Sequence, residues 1–483
     1  MSEADSAIAA GSPEPTALQR FTRLNPVDGS HASDAVAMTV EEAGQVVDRA
    51  AAAFPEWARS GPDARRTLLF AAADAVTART AELVAAMSAE TGAAPSWCGF
   101  NAMLAARMLR EAGALTTQIG GEVIPSDKPG LLAMATKQAA GVSLGIAPWN
   151  APIILAARAI AVPLACGNAV VLKASELCPA THRLLIEIIS GAGFPDGLIG
   201  TVTNAPQDAA RVVESLIRHP AVRRVNFTGS TEVGRIIGRI AGEELKPALL
   251  ELGGKAPLLV LADADLDAAV NAAIFGGFMH QGQICMSTER LIVVDAVADA
   301  FVEKLAARAQ ALRVGDPRTA EVQLGSMIDV KAVDRVMTLV TEAAADGAQI
   351  VAGGTATGSF MQATVLDQVS PSMRIYHEES FGPTVAVIRA RDAQDAVRIA
   401  NDSPFGLSAA IFTRDIALGL KLARQVESGI CHINGPTVQD EAQMPFGGVK
   451  ASGVGRFGGR WGIEFFTDTR WVTIETEEPH YPF

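Results

Sequence analysis

One thiol, one carboxylate and one side-chain amide in this 483-residue chain have types and settings that could do covalent chemistry. Cys285 lies in HQGQICMSTER among small and polar neighbours. Glu251 ends an apolar run in LLELGGKAP, directly before two glycines, and Asn150 sits between Trp149 and Ala151 in APWNAP. A thiol presented to a cleft by a helix end or turn can be a nucleophile. A carboxylate desolvated at a strand end has its pKa raised toward that of a general base, and an amide N–H can donate to an oxyanion. Each has an ordinary alternative. Free cysteines are often buried and inert, such a glutamate can cap a helix or pair with a lysine such as Lys255, and asparagine commonly builds turns.

Two further stretches could bind an anion or a sugar. NFTGSTEVG reads as a strand, a corner at Gly229 and Ser230, and a helix whose first N–H groups would face a phosphate, although serine and threonine also cap helices generally. In VVLKASE, Lys173 and Glu176 fall at the end of another strand, where ligands of parallel sheets gather. Plain surface charge is the alternative there.

The elements that must position these residues follow from periodicity. Residues 39–118 read as amphipathic helices, with Pro62 and Asp63 as a start signal. Residues 120–141 carry the turn SDKPG between extended segments, which predicts a protruding hairpin. From Val142 short apolar strands alternate with helices, the pattern of a doubly wound parallel sheet. A second α/β run starts near Leu252 and continues to about Gly435. Residues 151–174 are apolar enough to suggest a membrane span but contain Arg158, Pro163, Gly167 and Asn168, so a buried helix followed by a strand fits better.

Composition narrows the partners. The net charge of -13, with no long basic cluster, argues against a nucleic-acid partner. Five widely spaced cysteines without a C-x-x-C pair argue against a disulfide framework and a zinc site. The histidines lack ligand spacing, so no metal is predicted. The first sixteen residues, MSEADSAIAAGSPEPT, lack the basic lead and apolar block of a secretory signal and read as a disordered tail of a cytoplasmic protein.

Taken in order, PWN, KASE, FTGSTEVG, ELGGKAP, GQIC, EESFGP and PFGGVKASGVGR resemble the landmarks of the aldehyde dehydrogenase superfamily over nearly the whole chain. The resemblance implies an α/β fold: an NAD-binding domain of residues 1–118 and 142–251, a catalytic domain of residues 252–455, and a small β oligomerisation domain of residues 119–141 and 456–483. It implies Cys285 as the nucleophile, Asn150 as the oxyanion donor and Glu251 as the base that activates water. NAD is the implied cofactor, with Lys173 and Glu176 at the adenosine ribose, where Glu176 would repel the extra phosphate of NADP. Gly229 and Ser230 would lie beside the pyrophosphate, Glu379 and Phe381 at the nicotinamide, and Trp149 along the channel. A homodimer or homotetramer is expected.

Ala151 stands where many members carry a bulky aromatic, Ala174 where many have proline, and Arg158 where several place an aromatic. These choices resemble the branch acting on aromatic aldehydes, with the salicylaldehyde dehydrogenases foremost beside vanillin and benzaldehyde dehydrogenases. Ala151 would open space for a planar ring. Arg158 would meet a ring hydroxyl or line the tunnel, unless it makes a structural ion pair. Trp97, Phe100, Ile284 and Met286 are the other candidate substrate contacts. The rival readings are an aliphatic or broad-range enzyme, a coenzyme A-acylating enzyme, against which Glu251 argues, and a non-catalytic relative.

Overall fold

The computed structural model describes residues 19–319, 321–478 and 481–483; the acidic N-terminal tail expected for the first sixteen residues lies outside them. Short apolar segments that are buried on both faces form two parallel sheets, as βαβ connections require. In the first sheet the strands run in the order Gly453–Val454, Ala248–Glu251, Val222–Thr228, Val142–Ile146, Ala169–Lys173 and Ile199–Val202. All neighbours are parallel except the first pair. The chain steps outward from Val142–Ile146 in one direction and then returns to its other side through Val222–Thr228. A topological switch point therefore lies between these two strands, and the loops beyond their carboxyl ends carry Asn150 and Ser230.

The second sheet has the order Gln349–Ala352, Thr364–Asp367, Thr384–Ala390, Thr288–Val294, Ala256–Val260, Ser408–Phe412 and Ile430–Ile433. Only its Gln349–Ala352 edge is antiparallel to its neighbour. Separate apolar clusters cover its two faces. The edge strand Gly453–Val454 follows this unit in sequence yet pairs with Leu250 and Glu251 of the first sheet, which ties the two together beside Glu251.

The expected hairpin forms: Glu122–Ile124 pairs with Leu131–Ala139, and Thr467–Glu475 pairs with Leu131–Ala139 to complete a three-stranded sheet. Residues 151–174 form the helix Pro152–Ala165 and the buried strand Ala169–Lys173. No helix among the described residues is long and apolar enough to cross a membrane.

The helical stretch after Pro62 is two helices rather than one. It breaks at Arg79 into Pro62–Ala78 and Thr80–Thr91. Thr77 Oγ1 donates to the Ala73 carbonyl and Thr80 Oγ1 to the Val76 and Thr77 carbonyls. Hydroxyls that engage the carbonyls of the preceding turn disfavour a straight continuation.

Candidate active site

Three of the candidate residues leave the carboxyl ends of adjacent parallel strands. Asn150 follows Val142–Ile146, Ser230 follows Val222–Thr228, and Glu251 closes Ala248–Glu251. Cys285 comes from the other unit, in the turn between the helix Leu266–Phe278 and the strand Thr288–Val294.

That turn is bent by left-handed backbone at His280, Gln281 and Gly282. A Cβ on Gly282 would lie 2.1 Å from the Gly382 carbonyl oxygen, so only glycine fits there. The two glutamines around it are buried anchors. Gln281 Nε2 donates to the Ser326 carbonyl at 2.8 Å and its Oε1 accepts from Gly325 N at 3.0 Å; Gln283 Oε1 accepts from Ile328 N at 2.9 Å. Below the turn, Thr437 Oγ1 donates to the Met286 carbonyl at 2.7 Å.

Cys285 opens onto a cavity of about 310 Å³ whose wall includes Trp97, Phe100, Asn150, Ala151, Arg158, Ile284 and Met286. Every candidate substrate residue thus lies on one surface with the thiol and the amide. Leu104, Ile154, Leu155, Phe275, Met279, Val438, Gln439, Asp440 and Phe446 complete that wall, and sequence reasoning had not singled them out. Periodicity can mark Leu104 or Phe275 as apolar helix positions, but it carries no signal for which loop closes the cavity. Trp97 stacks on Phe100 and on His280, with ring centroids 5.6 and 5.2 Å apart, and its Nε1 donates to the Asn150 carbonyl at 3.0 Å.

Arg158 makes the ion pair that was its alternative reading and also lines the cavity. It pairs with Asp440, both side chains being buried, and its guanidinium lies 4.0 Å from the centroid of the Phe446 ring. Lys255, the lysine considered as a partner for Glu251, pairs with Glu289 instead.

Glu251 is fully buried, and neither carboxylate oxygen has a partner in hydrogen-bond geometry. Burial pushes its pKa up to about 8, against the opposing charges of Arg158 and Arg456 and the approach of the Gly448 amide. The Cys285 thiol is also raised, first by desolvation and then by the negative charges of Glu251 and Glu379. A proton leaving the thiol for Glu251 would remove one of those charges, so the two groups favour opposite charge states.

On the other side of the Gly253–Gly254 turn lies Glu379. Gly254 N donates to Glu379 Oε1 at 2.8 Å, and a Cβ on Gly253 would lie 2.6 Å from Oε2. The close approach explains the paired glycines. Burial and the nearby Glu289 charge raise the Glu379 pKa to about 7. Phe381, at φ 46°, meets the edge of Trp149 with centroids 5.8 Å apart. The intervening Ser380 and the Phe381 amide are held by Glu289, which accepts from Ser380 N at 2.8 Å and Phe381 N at 3.2 Å.

The remaining candidates cluster along the first sheet. Lys173 and Glu176 form a direct ion pair, and Asn204 Nδ2 donates to Glu176 Oε1 at 2.8 Å. Ser230 caps the helix Thr231–Glu243, accepting from Val233 N at 3.3 Å. Gly229 N donates to the Glu251 carbonyl at 3.0 Å, so its N–H is already engaged within the protein. A charged pair, a helix start and a glycine corner at strand ends fit a dinucleotide. No group of three or more His, Cys, Asp or Glu side chains that could hold a metal ion occurs among the described residues.

Comparison with known proteins matches this geometry to one family. The model of the aldehyde dehydrogenase family matches residues 14–472. The chain is 60% identical over 462 residues to a vanillin dehydrogenase of Pseudomonas fluorescens, covering 96% of each. It is 40% identical over 445 residues to an NAD(+) benzaldehyde dehydrogenase of Pseudomonas putida, covering 92% of this chain and 91% of the relative. The crystal structure of a salicylaldehyde dehydrogenase from Pseudomonas putida G7, complexed with salicylaldehyde, superposes with a TM-score of 0.95 at 47% identity and covers 96% of both chains. The identity to the vanillin enzyme is higher than that to the salicylaldehyde enzyme, which had been expected foremost.

Proposed function

Because the chain belongs to the aldehyde dehydrogenase family, we propose that it oxidises an aromatic aldehyde to the carboxylate, with Cys285 as nucleophile and NAD as the preferred of the two nicotinamide cofactors. The observation that carries this reading is the composition of the cavity wall: Cys285 and Asn150 line a pocket otherwise built largely from Trp97, Phe100, Ile154, Phe446 and other apolar side chains. A flat ring suits such a wall, and Ala151 leaves it room.

The Cys285 thiol gives up its proton to water, the sulfur bonds to the aldehyde carbon, and Asn150 Nδ2 donates to the oxyanion that forms. A bound nicotinamide supplies the hydride acceptor. Loss of hydride leaves a thioester on Cys285. Glu251 takes a proton from water, hydroxide adds to the thioester carbon, and the thiolate leaves as the carboxylate is released. Glu379 and Phe381 would hold the nicotinamide end, with Trp149 beside them, and Lys173 with Glu176 the adenosine ribose. The Glu176 carboxylate beside that ribose disfavours a further phosphate, which supports NAD over NADP.

The three-stranded sheet exposes Trp471 and Ile124 on one face and Val123 and Ile474 on the other. Exposed apolar side chains on both faces of this sheet support assembly into a homodimer or homotetramer. The free state of all five cysteines supports a reducing, cytoplasmic setting.

The test is aldehyde-dependent reduction of NAD, comparing vanillin, salicylaldehyde, benzaldehyde and acetaldehyde, with Cys285→Ala beside the wild type. An aromatic preference that vanishes with the thiol is expected. Activity on acetaldehyde alone would remove the aromatic assignment, and activity surviving in Cys285→Ala would remove the covalent mechanism.

A further inference from the structure

Asp440 enters the cavity wall from the loop after the strand Ile430–Ile433, together with Val438, Gln439 and Phe446. Its side chain is only 9% exposed. One oxygen, Oδ2, is engaged by Arg158. The other, Oδ1, is buried without a hydrogen-bond partner, the only side-chain oxygen of the cavity wall in that state among the described residues.

A buried carboxylate oxygen without a donor is costly, and such atoms in native proteins usually have a reason. Among the described residues no donor meets it in hydrogen-bond geometry; the Glu441 amide only approaches the carboxylate, and Arg158 on the other oxygen compensates its charge. The rest of the nearby wall, including Ile154, Val438 and Phe446, is apolar. Arg158 is in turn held against the Phe446 ring, so the pair is fixed in place rather than free to swing into solvent. A ligand that fills the pocket with a ring and carries one O–H would meet both needs: apolar surface for the ring and a charge-assisted acceptor for the hydroxyl.

We propose that the Arg158–Asp440 pair selects aldehydes whose aromatic ring bears a hydroxyl group, the phenolic O–H donating to Asp440 Oδ1. This assignment rests on the aromatic-aldehyde reading and narrows it to phenolic aldehydes. Arg158 contributes by orienting the carboxylate and opposing the rise in pKa that burial imposes on it. A methoxy group at the same ring position has a similar oxygen but no proton to donate, and it leaves Oδ1 unsatisfied.

The experiment measures kcat/KM for benzaldehyde and for the three hydroxy- and three methoxybenzaldehyde isomers, with wild type and Asp440→Asn. In the wild type, the hydroxy compound should exceed both its methoxy counterpart and benzaldehyde by about tenfold or more at one ring position at least, the usual worth of a hydrogen bond to a charged group. In Asp440→Asn the hydroxy-to-methoxy ratio at that position should fall toward one, whatever the absolute rate, because an amide held by Arg158 through its oxygen turns an N–H toward the ring. A wild type without hydroxyl preference at any position overturns the proposal, as does a variant that keeps the full ratio. If Asp440→Asn does not fold, the wild-type ratios decide alone. A wild type that oxidises acetaldehyde but none of the benzaldehydes overturns the aromatic reading itself, an outcome distinct from the loss of hydroxyl preference.

Discussion

Asn150 Nδ2 donates to the carbonyl oxygen of Gln283 at 3.0 Å, two residues before Cys285. The amide therefore anchors the nucleophile's turn and keeps a second N–H beyond that bond, on a residue that lines the cavity with the thiol. Its own backbone is fixed by Trp97, whose indole N–H donates to the Asn150 carbonyl. Replacing Asn150 with alanine should lower kcat by about 10²–10³, the usual effect of losing one oxyanion donor. Alkylation of Cys285 by iodoacetamide should change only a few-fold, which separates loss of the donor from collapse of the turn. A kcat within tenfold of wild type would take the amide out of the chemistry.

Glu251 makes stability depend on pH in a direction that a surface glutamate would not. Its folded pKa of about 8 lies above the ordinary 4.5, so across that window the folded protein holds a proton that the unfolded chain releases. Stability from this group is present in full at low pH and is lost as pH rises toward about 8. Glu251→Gln cannot ionise and escapes that loss. The melting temperature of the variant relative to wild type should therefore rise by several degrees between about pH 5 and about pH 9. The same variant should show a burst of NADH equal to the active sites followed by slow turnover, since the thioester forms but its hydrolysis lacks a base. Parallel melting curves at both pH values would show that Glu251 is not desolvated in solution.

The contrast between Glu251 and Asp440 shows how far the sequence could be read. Glu251 was legible because an apolar run, a carboxylate and two glycines are contiguous, and the strand Ala248–Glu251 delivers what those residues imply. Alternating strands and helices likewise made both parallel sheets recognisable. Asp440 is one of two adjacent acids in a polar loop, and its partner Arg158 lies 282 positions away. Nothing local marks such a pair. Gln281 and Gln283 were visible only as polar neighbours of the thiol, whereas their role depends on backbone groups at residues 325–328 that fold against them. The strand Gly453–Val454 escaped for a similar reason. Two residues have no periodicity, and their pairing with Leu250 and Glu251 is set by tertiary contact.

Glu289 should prove essential to the loop it clamps. It is buried against Lys255 and accepts from the backbone of Ser380 and Phe381, directly after Glu379. Glu289→Gln leaves the Lys255 ammonium buried without a counter-charge, and stability should fall by about 3–5 kcal/mol. The KM for NAD should rise at the same time, because Glu379 and Phe381 lose their support. Changing Lys255 and Glu289 together to methionine should recover most of the stability while leaving the KM high. Recovery of both would mean that the pair serves packing alone, and denaturant titration with cofactor kinetics on the two variants separates the cases.

Cofactor choice can be tested at Glu176, whose carboxylate is drawn between Lys173 and the Asn204 amide. A 2'-phosphate on the adenosine ribose would bring a second negative charge to this carboxylate, and would also compete with it for Lys173. Two like charges near 4 Å repel by roughly 1 kcal/mol in water and about 4 kcal/mol in partly buried surroundings. Wild type should therefore favour NAD over NADP by at least about tenfold in kcat/KM. Glu176→Gln removes the repelling charge and frees the Lys173 ammonium for the phosphate, so the NADP-to-NAD ratio should rise by about tenfold or more. Steady-state kinetics with both cofactors at saturating aldehyde provides the measurement. A ratio that does not move with Glu176→Gln would place the ribose away from this carboxylate and leave NAD preference to other parts of the groove.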